Sequence, residues 1–240
     1  MVGFFQELVL SIPGARLLRA DGVAAMISGI PVPTLNPVWL ERPDPAAADV
    51  AALLDEVGRH RVPFALALRP GSARVFAELA ASRAMMAAGE VPLLAVGTAA
   101  GIRAPGGLSI RMLAPGEAAV HARLCALGFG LPDGIAQRSV TEDTLKNSAV
   151  RCYVGEIAGQ PVSTGLTITT GAFTGIANVT TDPRQRGRGF GTAIIARSVA
   201  DGLAAGASWC WLQSSPAGYP VYRSYGFQLI ESWPVWVAWP

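Results

Sequence analysis

The sequence predicts an α/β protein, because strand and helix patterns alternate along most of its 240 residues. The clearest case is residues 173–181, whose β-branched and aromatic side chains favour a strand. A glycine-rich turn follows, and apolar residues at helical spacing then continue to Gly206, a residue type common at helix ends. The amino-terminal half alternates in the same way, so we expect two α/β regions.

Residues 1–100 are predicted to form the smaller α/β lobe. Asp44 and Pro45 favour a helix start, with Asp44 as the N-cap and Pro45 at the first helical position. Ser72 is a second candidate N-cap, and the helix after it is expected to run to Met86. The strands predicted in this lobe span residues 15–19, 63–68 and 91–96.

Residues 108–240 are predicted to form the larger domain, after a linker of small, glycine-rich residues at 97–107. One helix is expected over residues 116–127. A second is expected over residues 135–145, after a break at Pro132. The strands predicted in this domain span residues 108–112, 149–157, 161–170, 173–181 and 209–213.

The charge balance argues against a surface built to bind polyanions. The net charge is only +2 at pH 7, with 19 basic residues against 17 acidic ones. This balance fits one anionic cofactor and not nucleic acid. The longest apolar stretch, residues 84–102, is interrupted by Glu90 and Pro92, so we predict no membrane-spanning segment.

The cysteines and histidines favour a reduced, cytoplasmic protein without a metal centre. Three cysteines occur without the spacing of a disulfide framework, and the amino terminus lacks the basic start of a secretory signal. His60 and His121 are the only histidines. His121 and Cys125 lie four residues apart on a predicted helix, but no further ligand accompanies them, so we predict no metal.

Glycines alternate with arginines in the turn that follows residue 181. Gly187, Gly189 and Gly191 leave no side chain between an anion and the backbone N–H groups of a helix start. The arginines add forked donors suited to phosphate. No lysine follows the glycines, which excludes a P-loop, and the G-x-G-x-G spacing does not match a dinucleotide fingerprint. We therefore predict a site for a pyrophosphate group.

Two segments carry a resemblance to a known family. Residues 186–191 match the pattern [QR]-x-x-G-x-[GA], the acyl-CoA-binding signature of the GNAT acetyltransferases, and residues 215–227 resemble the second block of that superfamily, which ends Y-x-x-x-G-F. The resemblance covers residues 108–240, and the amino-terminal half resembles a degenerate GNAT-like lobe. It implies the acyl-CoA N-acyltransferase fold, with a mixed α+β sheet closed by a hairpin of residues 227–230 and 235–238.

The resemblance also implies a function and a set of site residues. It implies an N-acetyltransferase that moves an acetyl group from acetyl-CoA to a primary amine by direct attack. Tyr222 occupies the position of the general acid, and the Val179 N–H is expected to polarise the thioester carbonyl. The implied cofactor-binding residues are Val179, Thr180, Thr181, Arg184, Arg186, Gly187, Arg188, Gly189, Phe190, Gly191, Thr192, Ser215, Ala217 and Tyr219.

The general base is left open. Relatives often use a carboxylate on or near the strand before the glycine loop, but residues 173–181 contain no acid. Asn178 or Thr180 could order a water for a more distant carboxylate. An amine that arrives neutral needs no strong base. The carboxylates available in preceding elements are Glu142, Asp143 and Glu156.

Two other functions are compatible with these residues. The missing strand carboxylate favours a non-catalytic module that binds acyl-CoA as a sensor or scaffold. A nucleotide-binding α/β protein, with ATP or NAD as ligand, is the third hypothesis. For the enzyme, the acceptor is a small-molecule or peptide amine, and residues 129–133, with the single carboxylate of Asp133, are a candidate acceptor loop. The amino-terminal lobe could serve as a homodimer contact.

Overall fold

A computed structural model describes residues 2–99, 101, 104–132 and 134–240 of the chain. Its helices are α1 (Val2–Ser11), α2 (Ala47–Arg59), α3 (Ala73–Ala81), α4 (Ala118–Phe129), α5 (Ile135–Ser139), α6 (Glu142–Lys146), α7 (Phe190–Ala204) and α8 (Tyr219–Tyr225). Its strands are β1 (Arg16–Ala20), β2 (Val23–Ile27), β3 (Pro37–Leu40), β4 (Phe64–Ala67), β5 (Met86–Val96), β6 (Leu108–Met112), β7 (Val150–Ile157), β8 (Gln160–Thr170), β9 (Phe173–Thr181), β10 (Trp209–Gln213) and β11 (Gln228–Ala238). Among the described helices, none combines the length and apolarity that crossing a membrane requires.

The chain divides into two compact units. The amino-terminal unit comprises residues 4–93 together with residues 229–240, and the glycine-loop unit comprises residues 94–228. The last twelve residues are therefore grouped with the amino-terminal unit, whereas the sequence assigns them to the carboxyl-terminal domain.

The amino-terminal unit is built on strands in the order β1-β2-β3-β4-β11. β1, β2 and β3 pair antiparallel, β3 and β4 pair parallel, and β11 pairs antiparallel with β4. α2 packs on the sheet through apolar side chains that recur every three or four residues. They form a stripe along one face of the helix, and packing removes this face from water. The buried residues of this stripe are Val50, Leu53, Leu54 and Val57.

Several predictions in this unit are wrong at element ends. α2 begins at Ala47 and its N-cap position is Ala46, not Asp44. Asp44 instead lies 3.8 Å from the Arg42 guanidinium. α3 stops at Ala81, well before Met86, and Ala84 then adopts a left-handed φ of 55° that a continuing helix does not allow. α1 was not predicted.

The glycine-loop unit confirms the mixed sheet. Residues 94–96 at the end of β5 belong to this unit, and the strand order is β5-β10-β9-β8-β7-β6, with antiparallel pairs from β6 to β9 and a parallel pair of β9 with β10. β6, β9 and β10 have the bounds that the sequence predicts. One core cluster joins α7 and α8 to β5, β9 and β10, and a separate cluster joins α4 to α5.

The single helix predicted over residues 135–145 is wrong, because the chain forms two short helices there. Val140 is extended, with φ −133°, and separates α5 from α6. Thr141 then starts α6, since its side chain accepts a hydrogen bond from the Thr144 N–H in a reciprocal capping box.

The predicted closing hairpin is also wrong. Residues 228–238 form the single strand β11, in which Val235 pairs with Ala67 of β4. Pro234 lies within this strand, and its carbonyl accepts the Leu68 N–H at 2.9 Å.

Asn36 holds the loop between β2 and β3 in the amino-terminal unit. The residue is fully buried, and its side chain accepts from the Ser28 N–H at 2.9 Å. It also donates to the carbonyls of Ile30 at 2.7 Å and of Pro63 at 2.9 Å. One amide therefore satisfies several buried backbone groups.

We expect Asn36→Ala to lower the free energy of unfolding by about 3 kcal/mol, because the variant leaves these buried groups unsatisfied. Urea denaturation followed by circular dichroism measures the effect. Gln6→Ala, which removes an exposed amide from the same unit, is the control and should change the midpoint little. Equal midpoints for both variants would contradict the structural role of Asn36.

Candidate active site

The candidate site begins where β9 loses one of its neighbours. The parallel ladder joins Phe173, Thr174 and Gly175 of β9 to residues 209–211 of β10, and it extends no further among the described residues. Beyond Gly175, the pairing of β9 within the described part of the chain is with β8 alone. The rest of the strand, which includes Val179 and Thr181, therefore offers backbone groups on its open side, as an edge strand does.

An extra residue distorts this open part of β9. The register joins Thr164 to Thr180 and Leu166 to Ala177, so Asn178 and Val179 together face the single residue Gly165. Asn178 has a left-handed φ of 55°, uncommon for a residue other than glycine. This is a β-bulge, which changes the direction of the backbone groups that follow it.

The glycine loop follows directly after β9. Gly187 and Gly189 have φ values of 76° and 78°, a conformation that costs glycine little. The first hydrogen bond of α7 runs from the Ala193 N–H to the Gly189 carbonyl. The N–H groups of residues 190–192 therefore lie outside the helical ladder, at the positive end of a 15-residue helix.

Each of the three loop arginines has a contact within the chain. The Arg184 guanidinium pairs with Asp182 at 2.8 Å, and this pairing lowers the pKa of the Asp182 carboxyl. Arg186 donates to the Gly128 carbonyl at 2.6 Å, near the end of α4. Arg188 donates to the side chain of Gln185, and its guanidinium lies 4.8 Å from the Phe190 ring centroid.

Tyr222 lies on α8, in the same core cluster that carries Val179. Its ring meets the Phe227 ring edge-on at 5.8 Å, and burial raises the pKa of its phenol. A Cβ on Gly218 would lie 2.8 Å from the Tyr222 ring, so this glycine allows the close approach. Tyr222 thus remains protonated at neutral pH.

The other predicted residues of this segment surround the start of α8. The Ser215 hydroxyl accepts the Gly218 N–H at 3.2 Å, and Tyr219 is the first residue of the helix. Ala217 is exposed. The assignment of these and of the strand and loop residues to a cofactor stays a prediction.

The three candidate carboxylates already have partners. Glu142 accepts from the N–H groups of Gly116 and Ala118 at the start of α4, the latter at 3.1 Å. Asp143 pairs with Lys146 at 3.2 Å, and Glu156 pairs with Arg111 at 2.9 Å. Asp133, in the candidate acceptor loop, lies outside the described residues, as do parts of the linker at 97–107.

His121 is the residue of this site that sequence reasoning missed. The side chain is fully buried on α4, and its two ring nitrogens contact Thr164 of β8 and Asn178 of β9. The spacing of His121 and Cys125 does bring them together, with Cys125 Sγ 3.3 Å from His121 Nε2. Over the part of the chain that was searched, no group of three or more metal-ligating side chains occurs.

Comparison with known proteins assigns the chain to a family. A sequence model described as the acetyltransferase (GNAT) domain matches residues 109–230, half of the chain. The chain belongs to the GNAT acetyltransferase family. No curated protein sequence matches it.

Solved GNAT structures share the fold over nearly the whole chain. A GCN5-related N-acetyltransferase from Kribbella flavida matches with a TM-score of 0.72 at 19% identity, covering 98% of this chain and 93% of that one. One from Sphaerobacter thermophilus matches with a TM-score of 0.67 at 17% identity, covering 93% and 80%. A tandem GNAT protein from the clavulanic acid biosynthesis pathway matches with a TM-score of 0.63 at 15% identity, covering 95% and 84%.

These matches confirm the fold class. The aligned region extends through the amino-terminal half, which therefore shares the fold of these structures. At these identities the likeness concerns the fold alone.

The buried imidazole gives a pH-dependent stability. Burial lowers the pKa of His121 to about 4, below the ordinary 6.5, because the charged form is desolvated. As pH falls from 6.5 towards 4, the unfolded chain binds a proton that the folded chain does not, so this contribution to stability is progressively lost. We expect a loss of about 2 kcal/mol from this source between about pH 7 and about pH 5.

Urea unfolding at both pH values measures this loss. His121→Gln should remove it, whereas His60→Gln, which replaces an exposed histidine, should retain it. The same pH dependence in the wild type and His121→Gln would show that the buried imidazole is not its source.

Proposed function

We propose that this GNAT protein transfers an acetyl group from acetyl-CoA to a primary amine by direct attack. The observation that carries the proposal is the continuity of the bulged, open end of β9 with the amide-lined glycine loop. This arrangement offers strand-like hydrogen bonds to an extended chain and free N–H groups to a pyrophosphate, the two parts of a CoA molecule. Membership of the GNAT acetyltransferase family supports acyl transfer in general.

The residues present fit this cofactor. A Cβ built on Gly187 meets no atom within 4 Å, so the space beside the loop backbone is open. The N–H groups of residues 190–192 have no helical acceptor and would hold the pyrophosphate. Backbone groups of Val179 and Thr181 would pair with the pantetheine arm, and Ser215, Ala217 and Tyr219 would line the groove.

Two groups of the chain would carry the chemistry. When bound, acetyl-CoA supplies a thioester whose carbonyl carbon can be attacked by the nitrogen of an amine. The Val179 N–H, directed by the bulge, would donate to the carbonyl oxygen and stabilise its developing negative charge. As the C–N bond forms and the C–S bond breaks, the Tyr222 hydroxyl would give its proton to the departing sulfur, for which a protonated phenol is a suitable donor. The proton that the amine nitrogen loses would restore the phenol through solvent water.

The acceptor in this proposal is a small-molecule or peptide amine that arrives in its neutral form. No side chain is assigned as base, because the three candidate carboxylates already have partners. Two of them form ion pairs, and the third accepts hydrogen bonds from backbone N–H groups at the start of α4. We place the reaction in a reducing compartment, the cytoplasm, since Cys125, Cys152 and Cys210 are all buried free thiols.

The second candidate is a non-catalytic module that binds acyl-CoA as a sensor or scaffold. The engaged carboxylates favour it, because they leave the amine without an evident proton acceptor. It shares the cofactor site with the enzyme and differs only in the role of Tyr222.

We expect Tyr222→Phe to lower kcat about a hundredfold and to leave the Kd for CoA unchanged, because the phenol acts on the leaving group and not on binding. Mass spectrometry of a broad amine panel incubated with acetyl-CoA identifies the acceptor and measures the rate. Tyr153→Phe, whose hydroxyl contacts Asp201 instead, is the control and should retain the rate.

The two candidates then separate clearly. An acetylated product that depends on Tyr222 supports the enzyme. CoA binding without a product from any amine supports the sensor and contradicts catalysis.

We expect Gly187→Ala to weaken CoA binding about tenfold, because a methyl group would stand in the cradle that the amides form. Isothermal titration calorimetry with CoA measures the Kd. Gly171→Ala is the matched control, since Gly171 also has a left-handed φ, 54°, and open space, but lies at the opposite end of β9. Equal affinities of the two variants would exclude the loop as the binding site.

A further inference from the structure

We propose that His121 is a positioning residue that holds the β9 bulge in the conformation required for acetyl transfer. This inference rests on the proposed function, because the bulge matters only if the Val179 N–H acts on the thioester carbonyl. The evidence is a chain of hydrogen bonds through one buried imidazole.

The hydrogen bonds determine which nitrogen of His121 carries the proton. Thr164 Oγ1 donates its single hydrogen to the Tyr153 carbonyl at 2.7 Å. It can therefore only accept from His121 Nδ1, which lies 2.7 Å away. Nδ1 is the protonated nitrogen, and Nε2 carries a lone pair.

The lone pair of Nε2 faces the bulge. Asn178 Nδ2 lies 3.4 Å from it and Cys125 Sγ lies 3.3 Å from it. Both groups can donate a hydrogen, so the assigned orientation of the Asn178 amide agrees with the assigned ring tautomer. The imidazole thus bridges two neighbouring strands, contacting Thr164 on β8 and Asn178 in the bulge of β9.

Asn178 needs such support because of its backbone. A left-handed φ outside glycine persists only when surrounding groups favour it over the extended alternative. Asparagine tolerates this region better than most residues, and its amide here is held from outside the strand.

The histidine is itself held firmly. α4 packs closely on β9 beyond it, since a Cβ on Gly128 would lie 1.7 Å from Thr180 Oγ1. On the other face of the sheet, a Cβ on Gly165 would lie 2.6 Å from Ile194 Cγ2. The bulge therefore has little room to shift as a whole, and the Asn178 side chain is the part that His121 controls.

The functional consequence concerns the residue after Asn178. The peptide that joins Asn178 to Val179 contains the Val179 N–H, so the rotation about the Asn178 backbone aims that donor. A misdirected N–H raises the free energy of the transition state far more than it weakens binding of the cofactor. His121 is expected to affect polarisation of the carbonyl and to leave cofactor affinity nearly unchanged.

Four proteins test this inference: the wild type and three full-length variants, His121→Gln, His121→Asn and Asn178→Gly. Glutamine reaches the position of Nε2, and its carbonyl can accept from Asn178. Asparagine reaches only the position of Nδ1 and can still donate to Thr164. Glycine at 178 adopts a positive φ without cost but removes the amide that His121 holds.

The readout is the infrared stretching frequency of the thioester carbonyl in bound [1-¹³C]acetyl-CoA, which requires no acceptor. Hydrogen bonding to the carbonyl lowers this frequency. We expect the wild type and His121→Gln to show a lowered frequency, and His121→Asn and Asn178→Gly to lose most of the shift. Calorimetry should show CoA affinities within about twofold of one another, since CoA lacks the acetyl carbonyl to which the Val179 N–H would donate.

The possible results separate this inference from the proposed function. The same lowered frequency in all four proteins overturns the role of His121 and leaves the acetyltransferase proposal intact. A wild-type protein that does not bind acetyl-CoA, or binds it without any lowering, overturns the proposed role of Val179 and this inference with it. If His121→Asn does not fold, Asn178→Gly carries the test, because Asn178 is only half-buried.

Discussion

The geometry of the site depends on how the backbone of β9 is hydrogen-bonded. Its first three residues have partners on both sides, whereas the remainder pairs, among the residues that the structure describes, with β8 alone. This remainder of β9 has one residue more than the facing part of β8. The extra residue forms the β-bulge at Asn178, where φ is positive. Backbone polar groups require partners. A strand with an open side and a bulge therefore presents donors and acceptors to a ligand without unfolding any element.

Small residues make this arrangement possible from both faces of the sheet. Gly165 allows Ile194 of α7 to approach the bulge from one face, and Gly128 allows α4 to approach Thr180 from the other. Larger residues at these two positions would separate the helices from the strand. The close packing limits movement of β9, as expected for a site whose donors must be oriented before substrate arrives.

The loop arginines do more than supply the positive charge that the sequence indicates. Arg184 and Arg186 are directed at Asp182 and at the Gly128 carbonyl, so they hold the loop to its surroundings as well as adding charge. Arg188 lies against Phe190. Each guanidinium has five donors and can serve both purposes. The positive charge beside the free amides is thus held in place by the fold.

The sequence by itself determined the elements whose signals are local. The bounds of β6, β9 and β10 and the alternating glycines follow from side-chain alternation and turn residues, which act over a few positions. The same local signals misplaced the start of α2, where Asp44 lies near Arg42 instead of capping the helix.

Only the tertiary structure decided the relations between distant residues. His121 contacts Asn178 across 57 positions, and β11 pairs with β4 although no turn or spacing links the two segments. The physical reason is that a hydrogen bond depends on the distance between atoms in the folded chain. Periodicity and capping report only the preferences of neighbouring residues, so they could reveal the glycine loop but not the imidazole behind the bulge.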